Sequence, residues 1–324
     1  MATTTATAHA TRVLAVEPTS DRALLRAFFD RDRLYAAYAI CDLDDREFSR
    51  TRWGVAREAG ELIAVALEYG GYAPQPVFVM GENAGIAAIL RDVIRPRVAY
   101  VAALPDHLAA LEGLYTVEPN APMARMWVDR PSFRPCPGEV RRILPIESGE
   151  LNRLYQLGFT AWLPPSALTD GVYYGIWVNG RLVAAAGTHV VSREARLGIV
   201  GNVLTHTDFR GRGYATAVTG AVTAELLRTC DQVVHNVRSD NPPALAAYRR
   251  LGYREHVRFE ERLVHRVGQR GGLAGLSVTL RRLLGRDGGG SRADGRPSVG
   301  LALSSSRFDR LVPRRTRRSH WSPR

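Results

Sequence analysis

Apolar positions change period several times along this chain, and each change marks an element. Leu24, Leu25, Phe28, Leu34 and Tyr35 recur at helical spacing, with Ser20 as a candidate N-cap. Trp53 to Ala56 and Leu62 to Tyr69 are strand-like runs that flank Glu58-Ala59-Gly60-Glu61, which reads as a hairpin turn. A short strand (Val77 to Met80), a helix (Ala84 to Val93), a strand (Val98 to Ala103), a helix (Pro105 to Tyr115) and a strand (Met123 to Val128) follow. Residues 1–19 show no such pattern and are expected to be disordered.

Pro131 to Gly138, with Pro135 and Pro137, interrupts the pattern and marks a boundary. A second unit opens with a strand (Val140 to Pro145) and a helix (Glu147 to Phe159). Two strands then meet at Asn179-Gly180, a strong hairpin dipeptide. Next come a strand (Leu197 to Leu204), a helix (Tyr214 to Thr229), a strand (Gln232 to Val237), a helix (Pro242 to Leu251) and a strand (Tyr253 to Val264). The expectation is an α/β chain with mixed sheets in two units, 20–135 and 139–266. After their hairpins both units run strand, helix, strand, helix, strand. The helix from Pro105 also echoes the one from Pro242, which points to a duplicated fold.

Charge changes this picture only once it is located. The chain of 324 residues has a net charge of +12. Residues 267–324 hold 13 Arg against 3 Asp, a net of +10, so residues 1–266 hold only +2. All 44 cations are arginine, which is read as coding bias. The tail is Gly/Ser/Arg-rich and reads as disordered, with Leu276 to Leu284 as a possible short basic helix. As a nucleic-acid arm it would bind phosphates in a salt-dependent way, but Phe308 and Trp321 offer little stacking, so a solvated extension is preferred. Three scattered cysteines (Cys41, Cys136, Cys230) lack metal or disulfide spacing and fit a reducing cytoplasm. No apolar run is long enough to span a membrane, and Met1 to Ala10 makes a poor secretory signal.

The candidate chemistry lies in Val203-Leu-Thr-His-Thr-Asp-Phe-Arg-Gly-Arg-Gly-Tyr-Ala-Thr216, which begins as a strand and ends as a helix. The turn is Arg210 to Gly213. Its two glycines allow a sharp bend that bares successive N–H groups at a helix N-terminus, a ready diphosphate site. Arg210 and Arg212 add positive charge. A plain tight loop with solvated arginines is the competing reading. There is no Gly-Lys-Ser/Thr run for a P-loop and too few glycines for a dinucleotide fingerprint. Downstream, Asn241 is a good N-cap, Pro242 suits the first turn, and Leu245, Tyr248 and Leu251 share one face before Gly252. Capping alone would explain Asn241, and packing alone would explain Tyr248.

Arg-Gly-Arg-Gly-Tyr-Ala (210–215) resembles the Arg/Gln-x-x-Gly-x-Gly/Ala acyl-CoA loop of the GNAT N-acyltransferases. Asn-x-x-Ala-x-x-x-Tyr-x-x-Leu-Gly-Tyr (241–253) is similar to that family's second motif, and the match runs from Leu197 to about Val264. The N-terminal unit has neither motif, so the resemblance implies a degenerate GNAT-like unit followed by a GNAT domain. It also implies acetyl-CoA as co-substrate, with no metal. Val203, Leu204 and Thr205 would meet the pantetheine arm through their backbone. Gly211, Arg212, Gly213, Tyr214, Ala215 and Thr216 would hold the diphosphate, with Arg210 beside them. Asn241 would contact the cofactor, and Tyr248 would sit by the sulfur as general acid. Gly201 would fall near a strand bulge at the thioester carbonyl.

The reaction implied is direct attack of a neutral amine on acyl-CoA in a ternary complex. A thiol titrates near 8.5 and tyrosine near 10, so protonation of the thiolate by Tyr248 is uphill by about 2 kcal/mol in water. The base is open. Some relatives carry Glu where this chain has Asn236, and His189, His206 and His235 are alternatives, as is a water chain. A second reading is an acyl-CoA-binding sensor that has lost turnover.

Overall fold

The computed structural model describes residues 13–70, 72–158 and 162–268. The expected tail, its short helix and residues 1–12 lie outside the described residues.

In the first half, β1 (Leu14–Thr19) precedes three short helices, α1 (Arg22–Phe29), α2 (Ala37–Cys41) and α3 (Asp45–Phe48). The hairpin β2 (Thr51–Glu58) and β3 (Glu61–Tyr69) leads to β4 (Gln75–Gly81), α4 (Asn83–Asp92) and β5 (Val98–Ala103). A 3₁₀ segment (Pro105–Leu111), β6 (Tyr115–Val117) and β7 (Met123–Asp129) complete this half. The second half holds β8 (Arg141–Arg142), α5 (Ser148–Tyr155), α6 (Pro165–Asp170) and the hairpin β9 (Tyr173–Val178) and β10 (Arg181–Ser192). It ends with β11 (Leu197–Thr205), α7 (Tyr214–Leu226), β12 (Gln232–Arg238), α8 (Pro242–Arg250) and β13 (Arg254–Arg266).

Four expectations need correction. Leu14–Thr19, expected to be disordered, pairs antiparallel with β2 from Leu14↔Glu58 to Thr19↔Trp53. Its signal is weak because the apolar run stops at Val16 and Glu17, Pro18 and Thr19 follow, on an edge strand where a proline is tolerated. The segment from Pro105 is 3₁₀ and stops at Leu111, ahead of Gly113 in the left-handed region at φ +73°. The strand expected at 140–145 shrinks to Arg141–Arg142 at the sheet's far edge. The first cap is also Asp21 rather than Ser20, its carboxylate accepting from the Leu24 N–H.

The sheet runs β1-β2-β3-β4-β5-β13-β7-β12-β11-β10-β9-β8, with β6 also on β13. Two strands cross between the halves. β7 leaves the first half to lie between β12 and β13, pairing Val233↔Val128 and Arg254↔Trp127. β13 returns the exchange. Its residues 254–259 pair with β7, and Glu260 to His265 pair with β5. Each half therefore lends the other a strand, and the two sheets are hydrogen-bonded into one.

Packing follows the same exchange. One core joins Leu25, Phe28, Phe29 and Tyr35 to Ala195, Leu197, Ile199, Val234 and Phe259, so it is shared by the two halves. A second core, on the other side of the C-terminal sheet, packs Val218, Val222, Leu226, Leu245 and Tyr248 over β11 and β12. α4 covers the matching face of the first sheet through Ile86, Ile89 and Leu90.

Candidate active site

β11 and β12 are parallel and paired only from Leu197↔Gln232 to Val200↔His235. Beyond Val200 they diverge. β11 continues to Thr205 with one edge on β10 (Ala185↔Leu204, Ala184↔Thr205) and its other edge open to the fork. The register slips between Ala185/Leu204 and Gly187/Gly201, which gives β11 an extra residue. Asn202 takes up that bulge, at φ +52°. The glycine expected at the bulge thus sits one residue before it, for a different reason. A Cβ on Gly201 would lie 1.9 Å from the His189 ring, so the glycine is there to let that ring approach.

The bulge is held from several sides. The Tyr155 hydroxyl donates to the Asn202 carbonyl at 2.6 Å. The Asn202 amide donates to the Tyr173 hydroxyl (3.2 Å), which donates to the Thr188 carbonyl (2.9 Å). With its amide nitrogen so engaged, Asn202 Oδ1 accepts from His189 Nε2 at 3.2 Å. His189 Nδ1 is then the bare nitrogen and accepts from the Tyr38 hydroxyl at 2.8 Å. Tyr38 lies on α2, so the first half completes a site on the second.

At the mouth of the fork, Gly211 and Gly213 have φ of +76° and +78°. Gly213 is the N-cap of α7 and offers no side chain to it. The N–H groups of Tyr214, Ala215 and Thr216 therefore have no helical acceptor. An added Cβ at either glycine would meet nothing within 4 Å, so open space lies in front of the turn. Arg210 leans back to the Thr205 carbonyl at 3.4 Å, and Arg212 lies over the Phe209 ring at 5.1 Å. The Thr205 hydroxyl is buried with no partner among the described residues. An open strand edge, that orphaned hydroxyl and bare amides at a helix start suit a pantetheine arm ending in a diphosphate. The residues fit the group.

On the α8 face, the Tyr248 ring packs edge-on to His235, centroids 4.3 Å apart. Among the described residues the Tyr248 hydroxyl has no hydrogen-bond partner, and burial raises its pKa above the ordinary phenol value. His235 donates Nδ1–H to the Val200 carbonyl at 2.8 Å, at the apex of the fork. Burial lowers its pKa to about 4, so it is neutral at physiological pH. Asn241 caps α8 by accepting from the Ala244 N–H at 3.2 Å. His206, the third candidate base, lies by Arg181 at 2.8 Å and by the Asp208 N–H at 3.3 Å, at the loop's start.

The structure also shows residues that the sequence reading missed. Arg125 on β7 is 2% exposed. It donates to Asn236 Oδ1 at 3.0 Å and to the carbonyls of Leu34 and Tyr35. Its guanidinium lies 5.4 Å from the Tyr38 ring centre. Burial lowers its pKa, with Tyr38, Tyr35, Glu261 and Asp32 acting against that. A lone arginine inside Met-Ala-Arg-Met-Trp was the available signal. Tyr38 had none, because its role depends on the contact between halves.

Residues 173–263 match the family described as FR47-like protein. A solved Drosophila protein superposes with a TM-score of 0.55 at 14% identity, over 78% of this chain and 98% of its own. A GCN5-related N-acetyltransferase from Sphaerobacter thermophilus gives 0.55 at 15% identity, over 78% of this chain and 95% of its own. That share of the chain exceeds either half alone, so the common fold spans both. The C-terminal half is therefore similar to an FR47-like domain, and the two halves together have the mixed α/β fold of the GCN5-related N-acetyltransferase from Sphaerobacter thermophilus. Among the described residues no helix is long and apolar enough to cross a membrane, and no cluster could hold a metal ion.

Proposed function

We propose that the protein transfers an acetyl group from acetyl-CoA to an amine, by direct attack in a ternary complex. The carrying observation is the fork: an open β11 edge that leads from the bulge at Asn202 to bare amides at Gly213. Backbone groups of Val203, Leu204 and Thr205 would pair with pantetheine, and Gly211 to Thr216 would hold the diphosphate, flanked by Arg210 and Arg212. The thioester then lies by the bulge, between His189 and the Tyr248 face.

Proton removal falls to His189. Its ring covers Gly201, and its bare Nδ1 faces the Tyr38 hydroxyl. As the amine attacks, its proton passes to the Tyr38 oxygen while the phenol proton passes to Nδ1. The resulting imidazolium is held by Asn202. His235 is a poor base at its depressed pKa of about 4 and serves as an anchor of the fork. Tyr248 is made a weaker acid by burial, so it acts by donating a hydrogen bond to the leaving sulfur. Asn241 caps α8 and offers its amide to the cofactor. Buried Cys41 and Cys230 fit a reducing cytoplasm.

Calorimetry with coenzyme A and acetyl-CoA tests the first half of the reading; no binding sinks it. Acetyl transfer to a panel of amines tests the second. Binding without turnover would favour a sensor, a reading that the lack of a carboxylate at Asn236 supports.

A further inference from the structure

Two cavities lie where the halves meet below the fork. The smaller, about 40 Å³, is lined by Tyr38, Asp42, Tyr69, Arg125, Asn236 and Glu261 among others. The larger, about 240 Å³, is lined by His189 and again by Tyr69. The Tyr38–His189 hydrogen bond therefore runs beside both.

Arg125 is the odd group in the smaller cavity. Three of its hydrogen bonds fix the guanidinium, through Nε to Asn236 and through Nη1 to Leu34 and Tyr35. Its outer nitrogen, Nη2, has no partner among the described residues although the side chain is 98% buried. A buried guanidinium with unused donors is costly unless an oxygen acceptor completes it. Across the same cavity stand the side chains of Asp42 and Glu261, each 1% exposed. A bare carboxylate ligand would meet those acids, and a simple amine would leave Nη2 unanswered. A ligand carrying both charges meets Nη2 with its carboxylate and sets its positive end beside the acids.

We infer that this cavity takes the head of a small zwitterionic amino-carboxylate, a free amino acid, as the acceptor. Its carboxylate pairs with Arg125 Nη2, its amino group lies toward Tyr38, and its side chain extends past Tyr69 into the larger cavity. At about 10–15 Å³ of such space per water, 40 Å³ holds three or four water-sized groups, close to glycine. The inference rests on the acyl-transfer reading, which sets the thioester on the His189 side of Tyr38.

The test is calorimetric titration of glycine, the other common amino acids, ethylamine and propionate. Each is titrated into the full chain, alone and saturated with coenzyme A. At least one amino acid should bind, and ethylamine and propionate should bind at least about tenfold more weakly, as for loss of a charged hydrogen bond. Arg125→Met should remove that preference. Asn236→Asp, isosteric and able to neutralise the guanidinium without removing it, should weaken amino-acid binding by a similar factor. It carries the test if Arg125→Met fails to fold. No amino-acid binding below about 10 mM, equal binding of ethylamine, or variants that bind like the parent would each overturn the inference. Failure to bind coenzyme A, by contrast, would count against the acyl-transfer reading alone.

Discussion

The chain carries two versions of one fork. β4 and β5 pair from Gln75↔Ala99 to Phe78↔Ala102, as β11 and β12 pair from Leu197↔Gln232 to Val200↔His235. Each fork is braced by a tyrosine on the carbonyl just past its apex, Tyr35 on Val79 at 2.9 Å and Tyr155 on Asn202 at 2.6 Å. The polar parts differ. Of the two strands, only β11 has a bulge at that carbonyl. From strand to helix the second fork uses His206 to Gly213, and the first uses Glu82 alone, an acid where a diphosphate would sit. At the positions of His235 and Tyr248 the first fork has Ala102 and Leu111, both buried. The two show that the sheet, braces and core can persist while the loop and chemistry are replaced. They also show what the first unit still contributes, since it supplies Tyr38 and Arg125 to the second.

The largest expected loss comes from the group absent from the first fork. His189→Gln should lower kcat for acetyl transfer about 10³-fold while leaving acetyl-CoA affinity within twofold by calorimetry. A kcat within threefold of the parent would make the ring a packing element over Gly201 and nothing more.

His235 against Ala102 separates the forks by acid sensitivity. Burial lowers the His235 pKa from 6.5 to about 4, so the unfolded chain takes up a proton first as pH falls. Its stabilisation is complete above about 6.5 and is lost as pH drops toward 4, to a total of about 3 kcal/mol. Urea unfolding at pH 7.5 and 4.5 reads this directly. His235→Gln should flatten the difference, and an unchanged pH slope would assign the acid loss elsewhere.

The loop is the third contrast. Gly211 and Gly213 occupy the left-handed region, where a side chain costs roughly 1–2 kcal/mol each. A Gly211→Val/Gly213→Val protein should bind acetyl-CoA roughly thirtyfold more weakly, with a melting temperature lower by roughly 5–15 °C. The parent should bind one acetyl-CoA per chain. A stoichiometry of two would show that Glu82 does not close the first fork.

How far the sequence carried this is uneven, for physical reasons. Hairpins at Ala59-Gly60 and Asn179-Gly180 were legible because positive φ restricts residue choice locally. The glycine loop was legible for the same reason, and α8 because an Asn-Pro pair caps a helix locally. The strand exchange was not, because nothing in Met123–Asp129 or Arg254–Arg266 says which sheet each strand joins. A strand's pattern gives its faces, while its neighbours depend on the whole chain. Tyr38 was illegible on the same account, and Arg125 showed only as a lone arginine in an apolar run, without its partners. They lie 151 and 111 residues from His189 and Asn236, their partners across the halves.

The smallest effect belongs to Tyr248, and it divides two roles that the first fork's Leu111 leaves open. If the residue only packs, Tyr248→Phe keeps the ring against His235 and changes nothing. If its hydroxyl serves the sulfur, kcat falls about tenfold, the worth of one hydrogen bond to a developing charge. The hydroxyl has no partner among the described residues, so its removal strands no buried group and should leave stability within about 0.5 kcal/mol. Acetyl-CoA affinity should stay within twofold, because a neutral thioester sulfur accepts hydrogen bonds weakly and a thiolate strongly. An unchanged kcat beside unchanged stability would make Tyr248 equivalent to Leu111, a core residue, and would move leaving-group stabilisation to the backbone of β11.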